Sequence, residues 1–367
     1  MSRQFPNDTK TVKAQFNQGS TLHQKGQLAQ AREIYLQILT QHPHHLETLY
    51  LLGAIALQTH RPQEALEWLN QAVAVNDQHP GVHCNRGTAL YTLKHYSAAL
   101  ASYDRAIALH PAYAEAYSNR GNVLREQRHY EAAIHNYAHA LTLKPQDVDT
   151  LVNHGNILRE MKRYPEALES YRRALALAPD YPYLDGILRH TQAHLCDWQA
   201  GTRTPAELTY PFPFLALCDD PHLQRQVATL WAQTEYPLHS ELGAIVPRKA
   251  GHHSKIRIGY FSADLHAHAT AFLMAELWEH HDKSRFEIIA FSFGVDSHDA
   301  MRQRLARTFD QFIDVRNHTD KEIAQLARQM EIDIAVDLKG FTQDSRFGIF
   351  SYRAAPIQVS YIGYPGT

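Results

Sequence analysis

With 367 residues, the chain exceeds what one hydrophobic core ordinarily serves, so two or three domains are expected. Its 44% hydrophobic and 20% charged content is ordinary for a soluble globular protein. A formal net charge of −2, with no basic face standing out in the sequence, points away from nucleic acid and from anionic membranes as partners.

The N-terminus, MSRQFPNDTK, has no apolar signal region. From about residue 12 the chain repeats itself. Gly19, Gly53, Gly87, Gly121 and Gly155 recur at intervals of 34 residues. Twelve residues after each stands an alanine (Ala31, Ala65, Ala99, Ala133, Ala167), and four further on a bulky residue (Tyr35, Leu69, Tyr103, Tyr137, Tyr171). Pro43, Pro111, Pro145 and Pro179 close four of the units, with Asp77 in that place in the second. Each unit reads as two helices, for example about 113–127 and 130–142, joined by a polar turn and ended before a proline. A glycine inside a helix costs about 1 kcal/mol relative to alanine. Five at one phase imply a compensating gain, the close approach of two helices with the Tyr or Leu side chain lodged between them.

Stacked units of this kind form an α-solenoid with a concave groove lined by the first helix of each repeat. Two residues before each glycine stand Asn17, Leu51, Asn85, Asn119 and Asn153. An asparagine ladder at this phase suits an extended peptide, because each amide both donates to and accepts from a main chain. Asparagine is also simply a common residue in this slot.

After Pro179 the period is lost. Leu184, Ile187, Leu188, Leu195 and Trp198 still keep a helical stripe, which suits a capping helix over the last repeat. Three prolines in GTRTPAELTYPFPF break that helix, and a further helix is expected around 220–234. The polar PRKAGHHSK at 247–255 marks a second boundary, giving regions 1–182, 183–254 and 255–367.

From Lys255 strands and helices alternate: KIRIGYFS, TAFLMAELWEHH, FEIIAFSFG, a helix near 299–308, QFIDVR, DKEIAQLARQM, IDIAVDLKG and PIQVSYIG. This alternation predicts a parallel sheet covered by helices, with ligands beyond the carboxyl ends of the strands. Those ends are SADLHAHAT, FGVDSHD, DLKGFTQ and GYPGT. Neither a GxGxxG fingerprint nor a P-loop nor a serine elbow is present, which disfavours a dinucleotide site, an ATP site and a serine hydrolase. His268 is the strand-end residue to single out, with His266 almost as well placed. It precedes a helix whose positive end favours neutral imidazole, a form able to accept a proton or a hydrogen bond.

Cys84, Cys196 and Cys218 are scattered thiols that fit a reducing compartment, and runs such as LLGAIAL are too short to span a bilayer. A cytoplasmic protein is expected. Among 25 histidines, pairs such as His44-His45 and His252-His253 lack zinc-ligand spacing with cysteines, so no metal is expected.

The repeats resemble the tetratricopeptide repeat over about residues 12–180. RIGYFSADLHAHATAFLM and VDLKGFTQDSRFGIFSYRAAPIQVSYIGYPGT, together with those repeats, resemble the protein O-GlcNAc transferase and SPINDLY-like family in its bacterial form. The resemblance spans nearly the whole chain. It implies a metal-independent, inverting transfer of a sugar, typically from UDP-GlcNAc, to Ser or Thr of proteins. It also implies a two-lobed GT-B catalytic region of two Rossmann-like halves with the active site between them. On this resemblance His268 is the active-site histidine, and Tyr364, Pro365, Gly366 and Thr367 form a loop at the donor sugar. Asn17, Asn85, Asn119 and Asn153 become the ladder that holds the acceptor peptide, broken at Leu51.

The chain departs from mammalian members, which carry Asn-His-Pro where Ala267-His268-Ala269 stands, and His and Asn in the fourth strand near Asp333, Asp337 and Lys339. SPINDLY-like relatives use GDP-fucose, so the donor sugar stays open. The family binds the nucleotide with its second half, and the sequence ends after the first. A chain lacking the C-terminal lobe and inactive alone is therefore expected. The alternatives are an O-fucosyltransferase and a repeat scaffold that binds partners without catalysis.

Overall fold

The computed structural model describes residues 8–197, 209–245, 254–342 and 344–364, with side chains from Val12 onward. It divides into two compact units, Met1–Tyr181 and Pro182–Thr367. No helix among the described residues is long and apolar enough to cross a membrane.

The described residues of the first unit form helices and the turns between them. Among the described residues it holds α1 (Asp8–Gln24), α2 (Leu28–Gln41), α3 (Leu46–Gln58), α4 (Pro62–Val75), α5 (Pro80–Thr92), α6 (Tyr96–Leu109), α7 (Ala114–Glu126), α8 (Tyr130–Leu143), α9 (Val148–Glu160) and α10 (Tyr164–Leu177). They pair in sequence order into five hairpins, and the first helices of successive hairpins from α3 to α9 also touch.

The repeating glycines explain themselves here. A Cβ added at Gly19, Gly53 or Gly87 would lie 2.6 Å from Tyr35, Leu69 or Tyr103, and at Gly121 2.7 Å from Tyr137; at Gly155 it would strike Tyr171. Each of these large side chains is buried against the partner helix, beside alanines that are fully buried. Tyr137 and Tyr171 also donate their hydroxyls to Asn122 and Asn156, at 2.8 and 2.9 Å.

Each hairpin turns by one device. In α5, His95 N–H reaches back to Leu90 O and Lys94 N–H to Tyr91 O, both at 2.8 Å, closing the orphan carbonyls of the helix end in a Schellman motif. The same pair of bonds recurs at Gly26-Gln27, His60-Arg61, Arg128-His129 and Lys162-Arg163.

The second unit begins with α11 (Leu184–Ala193), α12 (Pro211–Phe214) and α13 (Pro221–Glu235). Trp198, the end of the expected apolar stripe, lies outside the described residues, as do 201–208 of the proline-broken segment and 247–253 of the expected boundary. Residues 209–245 do not behave as a linker. Trp231 of α13 packs edge-on to Phe341, with ring centroids 4.8 Å apart, and Arg328 donates to the carbonyls of Leu242 and Gly243 at 2.7 and 3.0 Å.

The α/β layer contains β1 (Ile256–Ser262), α14 (Ala269–Glu279), β2 (Phe286–Ser292), α15 (Ala300–Thr308), β3 (Gln311–Asp314), α16 (Asp320–Gln329), β4 (Ile334–Asp337), α17 (Gly348–Ser351) and β5 (Ile357–Ser360). All the strand pairs are parallel, in the order β3-β2-β1-β4-β5. Alternate residues feed opposite faces. Ile258, Tyr260, Ile288, Ala290 and Val336 join Met274 and Trp278 of α14 on one side. Phe261, Ile289, Phe291 and Ala335 meet Ile323, Ala324 and Ala327 of α16 on the other.

Candidate active site

The sheet order places a switch point at its centre. The chain leaves β1 outward through β2 to β3, returns across the sheet, and leaves β4 outward to β5. The loops after β1 and β4 therefore diverge and open a crevice at their carboxyl ends, where open α/β sheets bind ligands.

Both loops put charged side chains into that crevice. After β1, Ser262 Oγ accepts the Asp264 N–H at 2.9 Å and turns the chain sharply. His268 then caps α14, its Nδ1 accepting the Thr270 N–H at 3.2 Å. After β4, the Asp337 carboxylate accepts the N–H groups of Lys339 and Gly340, both at 2.9 Å. That turn aims Lys339 across at Asp264, Nζ to Oδ2 2.8 Å, in a pair whose side chains are only 8% and 10% exposed. The same Asp264 oxygen lies 3.6 Å from His268 Nδ1, and the imidazole itself is 43% exposed. A buried ion pair thus stands behind a histidine that faces outward.

Burial pushes the Asp337 carboxyl above its ordinary value, against the opposing pull of the Lys339 and Gly340 N–H groups and of the Lys339 charge. With Nδ1 of His268 taken by a backbone donor, a neutral ring carries its proton on Nε2. His266, the other candidate, stands with its ring centroid 5.9 Å from that of His268. Among the described residues no three His, Cys, Asp or Glu side chains gather as a metal site.

The loop after β5 reaches the same turn. Tyr364 forms a parallel bridge with Gly340, and its carbonyl accepts the Phe341 N–H at 2.7 Å. Gly363 has φ +77°, and a Cβ there would meet the backbone carbonyls of Lys339 and Leu338, so only glycine lets this strand end approach. The Tyr364 ring lies near Phe212 and Phe341, and its hydroxyl is buried without a hydrogen-bond partner among the described residues. Pro365, Gly366 and Thr367 lie outside the described residues.

The structure thus gathers His268 and Tyr364 around one turn, 337–340. Asp264 and the Lys339 pairing were not legible as site features. Ionic partners 75 residues apart leave no spacing signal, although both stand in the strand-end segments SADLHAHAT and DLKGFTQ. A cavity of about 790 Å³ lies elsewhere, on the sheet face between α14 and β5, lined by Tyr260, Leu277, His281, Val359 and Tyr361 among others.

The ladder asparagines belong to the first unit, on α1, α5, α7 and α9. Asn17 is exposed, and Asn85, Asn119 and Asn153 are half-buried. Asn119 lies 3.9 Å from Cys84 Sγ, so part of its hydrogen-bonding capacity serves the solenoid itself.

Comparison with known proteins supplies the lineage. Residues 234–367 match the model of glycosyl transferase family 41. Residues 11–78, 89–127 and 119–182 match tetratricopeptide-repeat models. The chain is 28% identical, over 49% of its length, to the probable UDP-N-acetylglucosamine–peptide N-acetylglucosaminyltransferase SEC of Arabidopsis thaliana, covering 21% of that protein. It is 34% identical, over 31% of its length, to the UDP-N-acetylglucosamine–peptide N-acetylglucosaminyltransferase of Caenorhabditis elegans, covering 10% of it. Among solved structures, a mutant O-GlcNAc transferase of Thermobaculum terrenum superposes with a TM-score of 0.50 at 25% identity, over 77% of this chain and 50% of that one. The chain spans about a fifth or less of the length of these two curated relatives. It joins a solenoid that matches tetratricopeptide-repeat models to an α/β unit that matches the model of glycosyl transferase family 41.

Proposed function

We propose that the protein takes part in sugar transfer from a nucleotide donor to Ser or Thr hydroxyls of other proteins, with the first unit's groove holding the acceptor. One observation carries the reading: within the segment that matches family 41, His268 and the buried Asp264–Lys339 pair stand at the switch-point crevice of the sheet. GlcNAc from UDP-GlcNAc is the proposed donor, since the plant and nematode relatives are named for it.

In this reading His268 offers Nε2–H to an oxygen of the bound sugar or of its leaving group, because Nδ1 is occupied by the Thr270 amide. Lys339 neutralises Asp264, so the crevice does not repel an anionic donor. Tyr364 and the residues after it, 365–367, border the donor sugar, and Asn17, Asn85, Asn119 and Asn153 hold the acceptor main chain.

The test is a donor competition. The protein, extended through any coding sequence downstream of Thr367, is incubated with protein acceptors and with UDP-GlcNAc and GDP-fucose in parallel, and modified Ser and Thr are identified by mass spectrometry. GlcNAc on the acceptors supports the reading. Fucose alone moves the protein to the O-fucosyltransferase alternative, and no transfer from either donor leaves a binding scaffold.

A further inference from the structure

The turns inside the repeats carry a charge pattern that the linear sequence conceals. Gly26, His60, Lys94, Arg128 and Lys162 occupy the same place in the five turns, all in left-handed backbone, with φ of 73°, 55°, 60°, 61° and 60°. Glycine adopts this conformation freely and other residues do not. A Cβ at Gly26 would meet nothing within 4 Å, so the place has room for a side chain but no preference for one. In four successive repeats the side chain found there is basic.

The next residue is basic as well: Arg61, His95, His129 or Arg163. Arg61 and Arg163 are held by Glu64 and Glu166 of the following helix. Lys94, Arg128 and Lys162 are exposed, without an ion-pair partner among the described residues. Equivalent places in stacked repeats recur along one edge. Successive hairpins pack directly on one another, α4 on α5, α6 on α7 and α8 on α9, so their turns follow in file.

A cation near a helix C-terminus complements the helix dipole, which is the plain structural reason for a lysine in such a place. Helices α7 and α9 already meet that need with Arg125 and Arg159 in their last turns, in ordinary helical backbone. Arg128 and Lys162 are surplus to it, whereas α5, which precedes Lys94, has no basic residue in its last turn.

We propose that this edge, centred on Lys94, Arg128 and Lys162, is a docking strip for an extended acidic polypeptide segment. Nucleic acid fits less well. Base stacking needs free aromatic faces, whereas Tyr96 and Tyr130, the aromatics next along, pack into the apolar clusters of their repeats. Glu131 and Glu166 also interrupt the strip, which suits spaced carboxylates better than an unbroken phosphate chain. The assignment rests on the first unit alone and stands whether or not the protein transfers sugar.

Fluorescence anisotropy with a labelled glutamate-rich peptide tests it. Wild type binds, and more weakly as salt rises. The triple variant Lys94→Gly, Arg128→Gly, Lys162→Gly keeps the left-handed turns and removes three charges. It is expected to bind about tenfold more weakly while its helical circular dichroism and melting temperature are kept. Should that variant lose helicity, the corresponding triple glutamine variant carries the same expectation. Three results would overturn the proposal: no binding by wild type, equal binding by wild type and the folded variant, or tighter binding of a single-stranded RNA of equal charge.

Discussion

An ammonium buried beside a carboxylate survives as a pair or not at all. Lys339 and Asp264 are both nearly inaccessible, so removing one leaves the other charged and unmatched. Lys339→Met is expected to lower stability by about 3–5 kcal/mol, and the double variant Lys339→Met, Asp264→Leu to recover most of that loss. Urea unfolding of both variants at one pH checks the pair, and equal losses would deny the coupling. Asp337 works in the opposite sense. Burial holds its carboxyl above the ordinary value of 3.8, so the folded state keeps this proton longer than the unfolded chain does. Its contribution is therefore present below the unfolded value and is lost as pH rises through the raised folded value. The stability of wild type relative to Asp337→Asn should fall as pH rises above 3.8. Denaturant midpoints across that range would show it, and a flat difference would contradict it. Asp299 has the reverse sign. Bonds from Ser297 and from the Ala267 and Arg302 N–H groups pull it down to about 2, so its contribution holds at neutral pH and is lost only in strong acid.

At the scale of elements, the glycines decide how the hairpins close. Gly121→Ala gains about 1 kcal/mol of helix propensity but drives a Cβ to 2.7 Å from the Tyr137 ring. Overpacking of this kind costs about 1–3 kcal/mol, so a net loss and a lower melting temperature are expected. A more stable Gly121→Ala would mean that the ring has room to yield. These contacts were legible in advance, because the 34-residue spacing of Gly, Ala and Tyr is a packing rule written into the chain. Each expected strand and helix from Lys255 onward also has its counterpart, within a residue or two at most ends. What escaped has a physical cause in each case. Helices α12 and α17 are four residues each, too short to show a period. The Schellman turns were hidden because four of the five hold a basic residue where glycine would signal them. The order β3-β2-β1-β4-β5, which creates the crevice, depends on where the chain crosses the sheet and leaves no mark in any single segment.

For the molecule as a whole, the proposed function assigns recognition of the acceptor to the first unit and chemistry to the second. The repeats bury their own cores and should remain helical when residues 1–181 are made alone, with a cooperative thermal transition. A molten, non-cooperative fragment would show that the solenoid leans on the rest of the chain. Asn119→Ala with Asn153→Ala is expected to raise the KM for protein acceptors while kcat is kept, since in this account these amides meet the acceptor and not the donor. His268 should behave otherwise, because it stands at the crevice to which the proposed function assigns the donor. The most direct measurement is the rate of GlcNAc transfer to protein Ser and Thr by the protein extended through any coding sequence downstream of Thr367, as wild type and as His268→Ala, with the fold of each confirmed by circular dichroism. The account predicts transfer by wild type and a fall of about 100-fold or more in the variant. Equal rates in the two proteins, or no transfer by wild type, would contradict it.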